Sequence, residues 1–142
     1  MLSFLTLIGC SRSTPPEIDL TQIDQALQRT SNTTAPAPHS DIEAAAFERF
    51  THFYNEYSAD RIASNVRNLY AKDAFFADPY HLVQGIDSIE DYFIAMAAPA
   101  QSCTFEIGKI QRAENDFYCR WTMHLISNAA PDQPIIAQGL TH

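Results

Sequence analysis

The sequence predicts an α+β fold, with three helices first and a curved antiparallel sheet after them. Apolar residues recur at helical spacing through residues 41–98. Through residues 103–125 they alternate with polar residues instead, as in half-buried strands. Helices packed against one face of a strongly curved sheet leave a conical space between the two layers, and such a space commonly holds a ligand.

The chain begins with a short apolar run, residues 1–10, which ends at Cys10. Its length and position are typical of the hydrophobic part of a secretion signal. The ending Leu7-Ile8-Gly9-Cys10 resembles the bacterial lipoprotein box, which implies cleavage before Cys10 and a lipid on its sulfur. We therefore expect a lipid anchor at the periplasmic face of a bacterial cell envelope. Residues 1–9 contain no Lys or Arg, so a cytoplasmic protein is the alternative.

Residues 11–40 are rich in Ser, Thr and Pro. Such a composition buries too little apolar surface to offset the entropy of the chain, so it predicts a tether. Ile18, Ile23 and Leu27 could form one weak helix inside it. A flexible spacer is what a lipid-anchored domain needs to stand away from a membrane.

The folded domain is predicted over residues 41–142. Ser40 and Glu43 have the spacing of a capping box, which marks the start of a helix. That first helix has an aromatic-rich face, formed by Ile42, Ala46, Phe50, Phe53, Tyr54 and Tyr57. Asp60 is the expected N-cap of a second helix, whose apolar positions are Ile62, Val66 and Leu69.

The central unit of the domain is predicted to be a short strand, a loop and a third helix. Phe75, Phe76 and Ala77 suit a buried strand, and Asp78 precedes a proline, which favours extended backbone. Gly85 permits the turn into the helix, and Asp87 with Glu90 has capping-box spacing. The apolar face of this helix is expected to contain Ile86, Ile89, Phe93 and Met96.

Strands follow Pro99. Alternation predicts one strand around residues 103–107, a turn at residues 113–116 and a long strand over residues 117–125. Another strand begins at Ile135, and the chain stops inside it at His142. We therefore expect a sheet that is truncated at its C-terminal end and exposes one edge. The turn offsets Cys103 from Cys119, so a disulfide between them is not expected.

The composition and the residue spacing argue against several classes of function. The net charge of −8 argues against nucleic-acid binding, because neutralising phosphates requires clustered Lys and Arg. No stretch is long enough to span a bilayer in the mature chain, so membrane contact is expected only through the lipid anchor. The histidines show no metal-ligand spacing, and we expect neither a metal nor another cofactor.

The domain resembles the nuclear transport factor 2-like superfamily, and within it the SnoaL-like proteins. The residues that carry the resemblance are Phe53-Tyr54, Asp60, Leu69-Tyr70-Ala71, Asp73-Ala74, Phe76, Asp78-Pro79, Gly85, Ile89 and Tyr92-Phe93. The resemblance implies three helices wrapped by a bent sheet, often dimeric through that sheet. Members include polyketide cyclases, ketosteroid isomerases, scytalone dehydratases and many domains without catalytic activity.

The same resemblance suggests catalytic residues. Asp78 matches the strand-end Asp-Pro that provides the proton-shuttling base of ketosteroid isomerases, and His81 could pair with it as acid and base. The helix tyrosine of that family falls on Tyr54, or on His52 if the chain is aligned at Asp60. The second oxyanion donor, an acid near Thr141, is absent, so steroid isomerase activity is not expected. In the alternative interpretation, Asp78 only bonds loop amides and His81 is solvated.

Three functions remain open from the sequence. The first is a domain that binds a small apolar molecule without efficient catalysis. The second is a lyase or isomerase with Asp78 as its base, and the third is a module that dimerises through its sheet. The side chains expected to hold an apolar ligand are Phe50, Tyr54, Phe76, Phe93, Trp121 and Met123.

Overall fold

The computed structural model describes residues 20–31, 34–79 and 81–142. The described elements are, in chain order, α1 (Leu20–Ser31), α2 (Asp41–Asn55), α3 (Ala59–Leu69), β1 (Phe75–Ala77), β2 (Leu82–Gln84), α4 (Ile86–Ala97), β3 (Ala100–Ile107), β4 (Gln111–Ala113), β5 (Asp116–Ser127) and β6 (Ala130–Thr141). The predicted α+β class, with helices before the larger sheet, is confirmed, whereas β2 and β4 were not predicted. The three predicted domain helices are α2, α3 and α4, and α1 is a fourth helix, at the place in the predicted tether where one weak helix was expected.

The chain forms two antiparallel sheets. β1 pairs with β2 in a small hairpin, which was not predicted from the sequence. β5 pairs with β3 and β4 along one edge and with β6 along the other, so β5 is the central strand of the larger sheet. Register shifts interrupt the pairing of β5 with both β3 and β6 near the C-terminal end of β5, at residues 125–127, and such irregularities bend strands.

The two faces of the larger sheet differ in their residues. Register places Phe105, Met123 and Ala137 side by side on the face that the helices pack against. We call this the inner face. Thr104, His124 and Ile136 lie in register on the opposite, outer face. The predicted alternation over residues 117–125 is therefore confirmed, including Trp121 on one face and Arg120 on the other.

The buried core lies between the helices and the start of the sheet. Its most buried members are Phe53, Ile62, Val66, Ile86, Ile89, Phe93 and Ala97. Met96, which was predicted to share this face, is 52% exposed, and Ala97 is buried instead. The helix thus turns its Phe93–Ala97 side, four residues apart, toward the core.

Two of the three predicted helix caps are wrong. α3 begins at Ala59 after Ser58, whose Oγ accepts a hydrogen bond from Arg61 N, so the cap is Ser58 rather than Asp60. α4 follows Gly85, which has φ of 85° and makes no side-chain cap. Asp87 instead accepts a hydrogen bond from Arg67 of α3. The third cap is confirmed, because Ser40 Oγ accepts from Glu43 N at the start of α2.

A buried ion pair fixes the segment in front of α2. Glu43 is 6% exposed, and its Oε1 accepts a hydrogen bond of 2.8 Å from Arg112 Nη1 of β4. Its other oxygen accepts from His39 N, and Arg112 also donates to the carbonyl of Pro36. The hydrogen bond from His39 N lowers the pKa of Glu43, and so does the Arg112 guanidinium. The Glu43–Arg112 pair thus ties residues 36–39 to the sheet.

The predictions for the N-terminal segment are not tested by the residues that the structure describes. Residues 1–10, including Cys10, lie outside them, so the lipid anchor and the envelope location stay predictions. No helix among the described ranges is both long and apolar enough to cross a bilayer.

Candidate functional site

Asp78 lies directly after β1, as predicted, at the mouth of the β1–β2 hairpin. Its backbone N–H donates to the carbonyl of His81 at 2.9 Å. The N–H of His81 donates back to Asp78 Oδ1 at 2.7 Å. This second bond is the loop-amide contact that the sequence left open as an alternative role for Asp78. The loop therefore closes on itself and fixes one oxygen of the Asp78 carboxylate.

A tyrosine from α4 completes this site, and the sequence did not predict its role. The hydroxyl of Tyr92 donates to Asp78 Oδ2. The same hydroxyl oxygen lies 3.1 Å from His81 Nδ1, and the two rings are in contact. The structure thus brings Asp78 and His81 together, as expected, with His81 Nδ1 3.7 Å from Asp78 Oδ1, and Tyr92 contacts both side chains.

The single proton of the Tyr92 hydroxyl is used in its hydrogen bond to the carboxylate of Asp78. A hydrogen bond between the Tyr92 oxygen and His81 Nδ1 therefore requires a proton on Nδ1. Burial raises the pKa of Tyr92, and its bond to the Asp78 carboxylate raises it further. We call Asp78, Tyr92 and His81 the proton relay.

The proton relay lies at the boundary between protein and solvent. The side chain of Asp78 is 22% exposed and that of His81 is 51% exposed. A second molecule could therefore reach His81, whereas Asp78 is accessible only in part.

Tyr54, the predicted helix donor, makes a different contact. Its hydroxyl is hydrogen-bonded to that of Tyr70, which follows α3. Burial raises the pKa of Tyr54 well above its usual value, and burial also raises the pKa of Tyr70, to about 12. Both phenols are therefore neutral at physiological pH. His52, the alternative donor, is exposed and accepts a hydrogen bond from Arg61, away from the proton relay.

Tyr57 packs between the aromatic core and the inner face of the sheet. Its ring centroid is 5.5 Å from that of Phe105 and 5.8 Å from that of Phe93. Burial raises the pKa of Tyr57, and smaller contributions come from the nearby Tyr92 and Asp78. The sequence predicted Tyr57 only as part of a helix face, because nothing in its spacing indicates proximity to Asp78.

The predicted ligand-binding side chains form three pairs in different places. Phe76 packs edge-on against Phe93 at 4.8 Å, and Phe93 is 2% exposed, so this pair belongs to the core. Phe50 and Tyr54 contact each other at 4.9 Å on α2. Trp121 and Met123 are partly exposed on the inner face of the sheet.

Trp121 is held in place by its neighbours on β6. Its indole N–H donates to Thr141 Oγ1 at 2.9 Å. The six-membered ring lies over Gly139, where a Cβ atom would overlap it. Its polar atom is therefore satisfied, and its apolar surface remains available on the inner face.

Two clefts in the described part of the chain are not lined by the proton relay. One, of about 410 Å³, is lined by residues from the end of α3 to the start of α4, among them Tyr70, Lys72 and Gly85. The other, of about 140 Å³, lies between α2 and α3.

Within residues 20–31, 34–79 and 81–142, no three or more His, Cys, Asp or Glu side chains form a group that could hold a metal ion. Cys103 and Cys119 are buried free thiols.

Known structures resemble this fold. A nuclear transport factor 2-like protein of unknown function from Exiguobacterium sp. 255-15 superposes with a TM-score of 0.56 at 12% identity, over 67% of this chain and 81% of its own. A candidate isomerase of the SnoaL-like family from Agrobacterium tumefaciens strain C58 gives a TM-score of 0.50 at 20% identity, over 68% and 80%. At these identities the likeness concerns the fold.

Comparisons of the amino-acid sequence, rather than of the fold, give two results. None of the curated proteins matches the chain. The profile of the SnoaL-like domain matches residues 47–139, which span α2 to β6 and include the whole proton relay. The chain therefore belongs to the SnoaL-like domain family.

Proposed function

We propose that this SnoaL-like domain binds a small apolar molecule on the inner face of its sheet. The observation that carries the proposal is the exposure of Ile135. Register pairs Ile135 with Leu125, on the face toward which the helices pack, yet Ile135 is 49% exposed. The helices thus leave this part of the inner face uncovered.

The neighbours of Ile135 extend the same apolar surface. Trp121, Met123 and Leu125 of β5 are all partly exposed on this face. Covering apolar surface is worth roughly 25 cal/mol for each Å² removed from water. A ligand of one or two rings would contact this surface without requiring a charged partner, which suits the predicted apolar molecule.

A charge placed at Ile135 should weaken ligand binding. We expect Ile135→Lys to raise the Kd of a neutral apolar dye, Nile red, about tenfold, which corresponds to about 1.4 kcal/mol. The ammonium group would lie where the dye displaces water, and desolvating it is costly. Trp121 is the only tryptophan in the chain, so quenching of its fluorescence by the dye reports binding at this face.

The matched control is the neighbouring residue on the other side of the sheet. Ile136 is 64% exposed on the outer face, and Ile136→Lys adds the same charge without touching the proposed site. Equal effects of the two variants, or no effect of Ile135→Lys, would contradict the proposed location.

The same control variant tests the predicted homodimer. The outer face carries two exposed apolar residues of β6, Ile136 and Leu140, which are 64% and 67% exposed. A polar pair lies on the same face, where His124 Nε2 is 3.3 Å from Glu106 Oε1. A dimer that uses this face should dissociate in Ile136→Lys and persist in Ile135→Lys. A wild-type monomer at high concentration in analytical ultracentrifugation would remove the dimer proposal.

Proton transfer is the second candidate function, and the proton relay favours it. Asp78 would take a proton from a carbon next to a carbonyl group, and His81 would exchange protons with solvent. Tyr92 lies between them and can pass a proton in either direction. The Agrobacterium protein with a similar fold is named as a candidate isomerase, which agrees with such a reaction.

Removing the carboxylate should abolish proton transfer. The probe is 2-tetralone, an apolar ketone with acidic α-protons, whose exchange with D₂O is followed by NMR. We expect Asp78→Asn to reduce the protein-catalysed exchange at least about 100-fold, because a general base typically contributes that much. Asp91→Asn removes an exposed carboxylate of the same helix as Tyr92 and should leave exchange unchanged. Wild-type exchange no faster than that of free acetate would remove the enzymatic proposal.

A further inference from the structure

The cleft between α2 and α3 has a lining that differs from the rest of this acidic chain. It has a volume of about 140 Å³, and all the residues that line it belong to α2 and α3. Its lining combines cationic, amide and apolar side chains: Arg49, His52, Phe53, Arg61, Asn68 and Leu69. The residues come from successive turns of two adjacent helices, so their side chains converge on one groove.

One exposed guanidinium of the cleft, that of Arg49, has no counter-charge among the residues that the structure describes. Arg61 Nε lies 3.0 Å from Glu56 Oε2, and its Nη2 lies 2.7 Å from His52 Nε2. Arg61 is therefore already engaged. Arg49 makes no ion pair or hydrogen bond with any side chain in the described parts of the chain. In a protein of net charge −8, the cleft thus offers one uncompensated positive charge.

Two neutral donors lie beside that charge. His52 Nε2 faces the Arg61 guanidinium, which only donates, so Nε2 is the acceptor and Nδ1 carries the proton. The amide of Asn68 has no partner among the described residues, whereas that of Asn65 is used by the carbonyl of Arg61. An anionic oxygen in the cleft could therefore accept from Arg49 and from Asn68.

The floor of the cleft is apolar. Phe53 is 6% exposed and belongs to the core, and Leu69 packs against that core from the end of α3. A ligand that fits both the polar donors and the apolar floor of the cleft has a single negative charge at one end and an apolar body at the other. The volume corresponds to roughly five water molecules at about 30 Å³ each, which limits the body to one ring or a short chain.

We propose that the α2–α3 cleft binds a small organic carboxylate. The carboxylate lies against Arg49 and Asn68, and the apolar body rests on Phe53 and Leu69. A phosphate dianion fits less well, because it would require a second uncompensated cation and would leave the apolar floor uncovered. The cleft is distinct from the inner face of the sheet, so this proposal does not depend on the proposed apolar ligand.

The test is isothermal titration of the full chain with benzoate, benzamide and inorganic phosphate at low ionic strength. We expect benzoate to bind at least tenfold more tightly than benzamide, its neutral counterpart. Arg49→Gln should weaken benzoate binding about tenfold, because it removes the charge but keeps a polar side chain. Arg120→Gln removes an exposed guanidinium from β5, on the outer face of the sheet, and should leave benzoate binding unchanged.

The other outcomes overturn the proposal. Equal binding of benzoate and benzamide would mean that charge plays no part. Equal weakening by the two arginine variants would mean that the net charge of the protein, rather than the cleft, attracts the anion. Phosphate binding without benzoate binding would assign the cleft to inorganic anions, and absence of heat with every probe would mean that it is no binding site. Ile135→Lys should leave benzoate affinity unchanged, which separates this test from that of the inner face.

Discussion

Replacing Phe93 with alanine should lower the free energy of unfolding by about 4 kcal/mol, because truncating a buried phenylalanine costs about 3–5 kcal/mol. Phe93 is 2% exposed at the centre of the aromatic core. Six rings surround it, those of Phe53, Tyr54, Tyr57, Tyr70, Phe76 and Tyr92. Since small domains are stable by only about 5–15 kcal/mol, this loss would remove much of the stability.

Urea unfolding followed by circular dichroism measures this effect. Met96 is the matched control, because it lies one turn further along α4 and is 52% exposed. Met96→Ala should cost less than about 1 kcal/mol, since most of its surface is already in water. Similar losses for Phe93→Ala and Met96→Ala would show that α4 does not present its Phe93 side to the core.

Adding one methyl group at Gly139 should displace the indole of Trp121. A Cβ atom at Gly139 would lie 2.5 Å from Trp121 Cε2, well inside van der Waals contact. Overpacking of this kind costs about 1–3 kcal/mol, and we expect Gly139→Ala to lie at the upper end, at about 3 kcal/mol. The displaced indole would also lose its hydrogen bond to Thr141, so the fluorescence of Trp121 should shift to longer wavelength.

A double-mutant cycle separates this clash from any backbone effect. In a Trp121→Leu background the methyl group meets no indole, and alanine suits a strand better than glycine does. Gly139→Ala should then be close to neutral, which gives a coupling energy of at least about 2 kcal/mol. An equal cost in both backgrounds would mean that Gly139 is required for its backbone alone.

Most of the fold could be predicted from local patterns. Alternation over residues 117–125 is a strong signal because every second residue obeys it, and the structure places those residues on the faces expected. The helix ends were harder to predict. Asp60 and Ser58 are both good caps by type, and only the path of the chain decides between them. Met96 and Ala97 follow Phe93 by three and four residues, both at helical spacing, and only the packing of the folded chain decides that Ala97 is the buried one.

In the candidate site, too, some residue positions follow from the local sequence and others depend on how distant elements pack. Asp78 and His81 are three residues apart in one loop, so their proximity follows from local sequence. Tyr92 is on another element, and its position over the loop depends on how α4 packs against the β1–β2 hairpin. Ile135 was predicted only to start a strand, and the strand in fact starts earlier, at Ala130. Its exposure on the inner face depends on how far the helices extend across the sheet, which no local pattern specifies.

The Glu43–Arg112 pair has a consequence for the order in which the protein assembles. Its two residues are separated by 69 positions, and Arg112 reaches the Pro36 carbonyl across 76. Contacts of such long range form late, because the intervening chain must first lose its freedom. On a ribosome, α2, α3 and α4 can meet while the larger sheet is still being synthesised. The segment before α2 therefore stays unattached until β4 emerges, and its docking is a late step of folding.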